Sequence, residues 1–170
     1  MILKSVRDYL VDPADTSAGA VAFRSPAIIS NITVVDRNDA RRELRAIVGD
    51  AIFAQRRPAK TSKPSAVTLS VISSATEMET VGEHDTAETV IQADCWTSGG
   101  AAALRGVVLS TLLRLSLSGC RDEVWSGIQI YDISQARETM ATENPSADGR
   151  WQFITSLDLR VTHSQPAAAY

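Results

Sequence analysis

The sequence predicts an α+β fold, in which an antiparallel β-sheet of about four strands carries two helices on one face, in the order α-β-β-α-β-β. Three observations lead to this prediction. Residues 89–96 alternate between apolar and polar side chains, which is the period of a strand with one buried face. Residues 101–117 repeat apolar side chains at helical spacing. Residues 151–163 show the most regular alternation in the chain.

The first core helix is predicted over residues 40–48. Asp36 or Asn38 supplies the kind of side chain that caps a helix N-terminus, and Gly49 is the kind of residue that ends a helix. The inward residues of this helix are Leu44, Ile47 and Val48. A short apolar patch at residues 52–53 follows it.

The first strand of the sheet is predicted over residues 66–73, where apolar side chains alternate. Its core residues are Val67, Leu69 and Val71. The next strand, at residues 89–96, turns Ile91, Ala93 and Cys95 toward the core. The polar segment between the two strands, residues 74–85, is long for a turn and therefore predicts a protruding loop.

The second helix is predicted to follow a break at residues 97–100. One stripe of this helix carries the apolar side chains that are expected to pack on the sheet. The stripe consists of Leu104, Val107, Val108, Leu112 and Leu115. A strand that leads into a long apolar helix, with no reactive residues between them, indicates a scaffold rather than a catalytic site.

Two further strands complete the predicted sheet. The first covers residues 124–133, with Ile128 and Ile130 on its core side, and a polar loop at residues 139–149 leads to the second. The inward residues of the last strand are Trp151, Phe153, Thr155, Leu157, Leu159 and Val161.

The chain is predicted to divide into three segments. Residues 1–35 form an N-terminal extension or arm, residues 36–163 form the α+β core domain, and residues 164–170 form a flexible tail. Within the extension, residues 27–35 are β-prone and are interpreted as an extra strand, or as an arm that pairs with a neighbouring subunit. One face of a short helix is indicated by Val6, Tyr9 and Leu10.

Composition and charge weigh against two classes of partner. The net charge is −3, from 20 acidic and 17 basic residues, which disfavours tight wrapping of nucleic acid. No apolar run reaches the ~18–20 residues that a membrane-spanning helix needs. The first ten residues lack the long apolar core of a signal peptide. We therefore expect no membrane partner and synthesis in the cytoplasm.

The residues that carry chemistry do not form the pattern of an active site, so the sequence predicts that the chain is not an enzyme. Cys95 and Cys120 lack metal-ligand spacing and are interpreted as reduced structural thiols, with a disulfide as the alternative. No metal or other cofactor is predicted. His163 ends the last strand and is expected at an exposed rim.

A small hydrolase is one alternative function. His84 lies between Glu83 and Asp85 and has carboxylates nearby, but no second cluster at ligand spacing accompanies it. A solvated loop histidine is the simpler interpretation. Replacing His84 by alanine without loss of function would remove this alternative.

A nucleic-acid-binding module is a second alternative, because one loop between two prolines is basic. Its charged residues are Arg56, Arg57, Lys60 and Lys63. They are interpreted either as a solvated loop or as a contact for an acidic partner surface or a DNA backbone. DNA association that is absent or insensitive to salt would exclude this function.

Four local sequences occur in a recognisable order. Residues 44–53 combine a helix end, a glycine and a short apolar segment, and residues 64–69 form a proline-led strand. Residues 90–97 lead toward an Ala/Leu-rich helix, and residues 149–161 form a closing strand. In this order they resemble the tail-completion proteins of tailed bacteriophages, also called tail terminator or tail-to-head joining proteins. The first 35 or so residues depart from that pattern.

The resemblance implies a structural virion protein, made in the host cytoplasm and located in the neck of the particle. Its subunits would close into a ring, usually a hexamer, which terminates the tail tube and joins it to the head. The implied partners are further copies of the chain, the tail tube protein and the head-tail connector or adaptor protein. Viral DNA would pass through the lumen without sequence-specific binding.

The resemblance also suggests where subunits would meet. The acidic and basic loops are expected to face each other across subunits or stacked rings, where charge attraction would set their register. Trp96 points away from the core in the strand period and is a candidate interface residue, because tryptophan is enriched in interfaces. The predicted interface residues are Arg56, Arg57, Lys60, Lys63, Glu77, Glu79, Glu83, Asp85 and Trp96.

Overall fold

A computed structural model of the chain describes residues 2–11, 36–55, 65–77, 86–99, 101–117, 119–145 and 151–165. Within these ranges the chain forms three helices and six strands. The helices are α1 (Ile2–Val11), α2 (Arg37–Val48) and α3 (Ala102–Leu117). The strands are β1 (Ile52–Ala54), β2 (Ser65–Glu77), β3 (Thr86–Ser98), β4 (Glu123–Trp125), β5 (Ile128–Pro145) and β6 (Trp151–Ser164). None of these helices is long and apolar enough to cross a membrane.

The described strands form one sheet in the order β1-β2-β3-β6-β5-β4. β1 runs parallel to β2, and all other neighbours are antiparallel. The predicted α+β class is confirmed, but the predicted order α-β-β-α-β-β with about four strands is wrong. The short strands β1 and β4 extend the sheet at its edges, and α1 precedes the predicted helices. Three-residue strands are too short to show a two-residue period in the sequence.

Helix α2 begins and ends where its capping residues predict. The Asp36 carboxylate accepts hydrogen bonds from the backbone N–H groups of Asn38 at 2.8 Å and Asp39 at 2.9 Å. Gly49 follows the helix with a φ of 61°, a region that glycine adopts without steric cost. Leu44 and Val48 are fully buried, as predicted, so the local sequence determines both the ends and the inner face of α2.

The buried face of helix α3 matches the predicted stripe only in part. Val108 and Leu112 of the predicted stripe are buried, but Leu104 is 38% exposed and Val107 is 54% exposed. The buried residues are Ala102, Gly106, Val108, Leu109, Ser110, Leu112, Leu113, Ser116 and Leu117. The prediction failed at Leu104 and Val107 because α3 is apolar on nearly every side, and its position between α2 and the sheet buries two adjoining faces.

The segment that follows α3 differs from its prediction in two places. The strand predicted at residues 124–133 is interrupted by a turn at Ser126 and Gly127, where φ is 50° and 80°. β5 then extends to Pro145, so residues 139–145 are not the predicted polar loop. Main-chain pairing of β5 with β6 continues along this polar stretch, because hydrogen-bonded pairing does not require apolar side chains.

The central strands β3 and β6 keep the predicted alternation. β3 alternates between buried and half-buried side chains along its whole length, with Ile91, Ala93 and Cys95 fully buried. In β6, Leu157, Leu159 and Val161 are almost completely buried. Thr155 is also buried and Phe153 is half-buried. Both strands therefore direct one face toward the helices, as their sequences predict.

Helix α1 belongs to the same hydrophobic core. Its residues Ile2, Leu3, Val6 and Leu10 are buried, and the helix contacts α2, β1, β2 and β4. The short helix indicated by Val6, Tyr9 and Leu10 is confirmed. The β-prone segment at residues 27–35 lies outside the described residues. The division of the chain at residue 36 stays a prediction.

Candidate functional site

Most of the predicted interface residues lie outside the described part of the chain. These are the basic residues Arg56, Arg57, Lys60 and Lys63, and the acidic residues Glu79, Glu83 and Asp85. His84, on which the hydrolase alternative depends, also lies there. Glu77 is the last residue of β2. The predicted contact between the two loops and both alternative functions therefore stay predictions.

Trp96 occupies the position that its strand period predicts. It alternates with the buried Cys95 and Thr97 and is itself half-buried. Its cross-strand neighbours are Ala66 on β2 and Ile154 on β6. The sheet therefore places Trp96 on the face opposite the helices, and its role at a subunit interface stays a prediction.

His163 is buried, so the prediction of an exposed rim residue is wrong. The side chain is 7% exposed. Its Nδ1 lies 2.9 Å from the carbonyl oxygen of Ser164 and can only donate to it, so Nε2 accepts from the Thr89 hydroxyl at 3.0 Å. Thr89 in turn lies 3.2 Å from the Ser74 hydroxyl. This chain of hydrogen bonds ties β2, β3 and β6 together, and it occupies both nitrogens of the histidine.

A cluster of polar and aromatic side chains holds α1 against α2 and β4. The rings of Tyr9 and Trp125 are stacked, with centroids 3.9 Å apart and planes 10° apart. The Arg41 guanidinium carbon lies 4.4 Å from the Tyr9 ring centroid, and Arg41 also donates to the Tyr9 carbonyl oxygen at 3.0 Å. Arg37 donates to the Cys120 sulfur at 2.7 Å and pairs with Glu123. The sequence indicated Tyr9 but not its partners, because they are distant along the chain.

Both thiols are free and buried, as their interpretation as structural thiols predicts. Burial raises the pKa of the Cys120 thiol from its ordinary value of 9.0 to about 11, although the nearby Arg37 guanidinium acts in the opposite direction. Burial also raises the pKa of Cys95 and of the Tyr9 hydroxyl. These groups are protonated at neutral pH, which is the unreactive state of a thiol.

We expect the stability of the protein to fall as the pH rises from about 9 toward about 11. The unfolded chain releases the Cys120 proton near its ordinary pKa, whereas the folded chain retains it to a pKa of about 11. The contribution to stability is therefore complete below pH 9 and is lost as the pH rises through 11, by up to about 1.4 kcal/mol per pH unit for each such group. Urea unfolding at several pH values measures this decline. The Cys120→Ala variant should decline less steeply, and a stability that is constant over this range would contradict the expectation.

An open groove lies between the C-terminal half of α3 and β5. Its volume is about 290 Å³, and its lining residues are Arg114, Leu117, Ile133, Ser134, Gln135 and Leu159. Arg114 is the one ionisable residue in this lining, so the groove does not present an acid–base pair. Within the described residues, no group of three or more His, Cys, Asp or Glu side chains is placed to hold a metal ion.

The outer edge of β2 carries exposed apolar side chains. β1 pairs with β2 only at Val67–Leu69, and no other described strand covers the outer side of β2 beyond that point. We call the outer side of Ser70–Glu77 the β2 edge. Val71 and Ile72 on this edge are 44% and 53% exposed, so the prediction that Val71 is a core residue is wrong. Sequence reasoning identified the strand but could not show that it lies at an edge.

Comparison with known proteins identifies a family and a structural relative. Residues 33–144 match the sequence profile of the family described as tail completion protein gp17. The fold is similar to a chain in the solved structure titled "Virion of native gene transfer agent (GTA) particle", with a TM-score of 0.52 and 19% sequence identity. That alignment covers 76% of this chain and 92% of the other. No curated protein sequence matches the chain.

Proposed function

We propose that this chain, a structural phage tail protein that belongs to the tail completion protein gp17 family, acts at the head-tail interface. There it forms a ring of identical subunits, commonly six, which terminates the tail tube and joins it to the head connector. Viral DNA passes through the ring without sequence-specific contacts. The observation that carries this proposal is the family match over residues 33–144.

The structure supports the proposal in two ways. The fold is shared with a chain of a gene transfer agent virion, so the same framework occurs in an assembled particle. The described part of the chain also combines a rigid six-stranded sheet with an uncovered strand edge, which suits a subunit that pairs with neighbours. The proposed partners are other copies of the chain, the tail tube protein and the connector.

We also propose that the chain has no enzymatic activity. Three findings support this. The Cys95 and Cys120 thiols are buried and protonated, and both nitrogens of His163 hold hydrogen bonds, one to Thr89 on β3 and one to the Ser164 carbonyl oxygen. The groove beside α3 has a single ionisable lining residue, Arg114.

Deleting the gene for this chain from a phage that encodes it is expected to leave heads and tails unjoined, because the tube would lack its terminating ring. Electron microscopy of lysates counts joined particles against free heads and tails, and the wild-type gene supplied in trans should restore joined particles. Gold-labelled antibody against the chain should mark the head-tail junction. Label at the distal end of the tail, or normal particles without the gene, would refute the proposed role.

A further inference from the structure

Among the strands that the structure describes, two edges of the sheet lack a neighbouring strand at the same level. In the described residues, β4 covers the outer side of β5 only at Ile128–Ile130, as β1 covers β2 only at Val67–Leu69. The register joins Val71 to Ile91, Ile91 to Leu159, and Leu159 to Gln135, so these residues form one row across the sheet. The cross-strand rows therefore begin at the part of β2 that β1 does not cover and end at the part of β5 that β4 does not cover.

The β2 edge has one irregularity of register, at Ile72, but lacks the charges and prolines that commonly prevent strand edges from pairing. Residues 70–76 contain neither a charged residue nor a proline, and Val71–Ala75 are exposed. Natural edge strands are usually short, charged, interrupted by bulges or covered. β2 has a single irregularity, at Ile72, and runs regularly from Ser73 to Glu77. An uncovered edge of this composition is a surface that binds another strand.

The outer side of β5 is a matching partner. Its three register shifts lie between Ile130 and Asp132, between Gln135 and Arg137, and between Thr139 and Thr142, and the first two leave Asp132–Gln135 as a regular stretch. We call the outer side of this stretch the β5 edge. The one charged residue of this stretch, Asp132, pairs with Arg121 at 3.0 Å. The β2 edge is uncharged up to Thr76, so the two edges bring no like charges together.

The strand directions also fit a head-to-tail arrangement. The path from β2 through β3 and β6 to β5 consists of antiparallel pairs, so β2 and β5 run in opposite directions. When a second copy is added in the same orientation, its β2 lies antiparallel to β5 of the first copy. Head-to-tail contacts of this kind close into rings when the rotation between copies divides a full turn.

We propose that the β2 edge of each subunit pairs with the β5 edge of the next copy, so that the sheet continues from subunit to subunit around the ring. This inference rests on the proposed ring function, and it identifies the contact that closes the ring. The occupant of the β2 edge is thus a second copy of this chain. Pairing satisfies the outward backbone groups of both strands and covers Val71 and Ile72.

Disulfide cross-linking tests the contact directly. Val71 and Gln135 lie at opposite ends of one row, and the native thiols are buried. Purified particles that contain the Val71→Cys/Gln135→Cys variant should give, after mild oxidation, a ladder of cross-linked trimers and larger species. If the two copies pair in a shifted register, the cysteine on β5 should be moved, so Ser134→Cys and Arg137→Cys are also tested in place of Gln135→Cys. Particles that assemble normally without any ladder in this series would overturn the proposal.

The single variant Val71→Cys is the control for symmetry. It should give no cross-linked species, since each β2 edge meets a β5 edge. Efficient dimers from this single variant would mean that two β2 edges pair with each other, which would overturn the head-to-tail contact. Absence of the wild-type chain from purified particles would instead refute the proposed function.

Paired lysine substitutions test the importance of the edge. Val71→Lys/Ile72→Lys places charges on the β2 edge, and we expect joined particles to fall at least about tenfold, because edge lysines prevent strand pairing. Leu104→Lys/Val107→Lys on α3 is the matched control, since its side chains are 38% and 54% exposed against 44% and 53%. The number of joined particles formed by the control variant should stay within about twofold of the wild-type number. If both variants lost joined particles to the same extent while their thermal unfolding stayed unchanged, the proposal would be contradicted.

Discussion

Replacing Leu112 by alanine is expected to lower the free energy of unfolding by about 2–5 kcal/mol. Leu112 is fully buried in α3, where α3 packs between α2 and the sheet. The substitution removes buried apolar surface and leaves a cavity that close-packed neighbours fill only in part. Urea unfolding followed by circular dichroism measures this loss. The midpoint urea concentration should fall, while the slope of the unfolding free energy against urea concentration stays unchanged.

Leu104→Ala is the matched control for this measurement. Leu104 lies on the same helix, and the sequence placed it on the same stripe as Leu112, but it is 38% exposed. Its replacement should change the free energy of unfolding by no more than about 1 kcal/mol, because much of the side chain already contacts water. Similar losses in the two variants would show that the burial of α3 described above is wrong.

Replacing Gly106 by alanine is expected to destabilise the protein by about 1–3 kcal/mol. In an unobstructed helix the same change would stabilise by roughly 1 kcal/mol, because alanine favours the helix over glycine. Here the new Cβ would lie 2.8 Å from the Thr155 hydroxyl oxygen and 3.6 Å from that of Thr97. Thr155 is buried and branched at Cβ, so α3 would have to move away from the sheet. Thermal or urea unfolding gives the sign of the effect.

The Thr155→Ala background separates this collision from other effects. Removing the hydroxyl group removes the closest contact, and the next atoms, the Thr97 hydroxyl oxygen at 3.6 Å and the Thr155 Cβ at 3.9 Å, are at ordinary contact distances. In that background Gly106→Ala should be neutral or stabilising, which corresponds to a coupling of about 1–3 kcal/mol between the two positions. A Gly106→Ala variant that is more stable than wild type in both backgrounds would refute the close approach of α3 to β6.

Local features of the structure were predictable where the determining residues are neighbours in sequence. Asp36 caps α2 through amides only two and three residues further along, and Gly49 ends the helix by its own conformational freedom. The alternation of β3 and β6 follows from a two-residue period that each strand shows by itself. The family resemblance depended on the same local segments and is confirmed by the match over residues 33–144.

The candidate site was less predictable, because its properties depend on strand order. Trp96 was identified from the strand period, since its direction is a local property. The β2 edge was not identified, since it depends on how far β1 pairs along β2, and among the described residues that pairing stops at Leu69. His163 is buried for a similar reason: its neighbours Ala87 and Ile130 come from strands that are distant in sequence.

The sequence by itself determined the α+β class, the ends of α2, the inner faces of β3 and β6, and the family of the chain. The tertiary structure decided which side of α3 is buried, how far the sheet extends and which strand edges stay open. The physical reason is that helix caps and strand periods depend on residues close along the chain. The orientation of α3, an apolar helix on nearly all sides, depends instead on close packing against α2 and the sheet, where Gly106 lies close to Thr155 of β6.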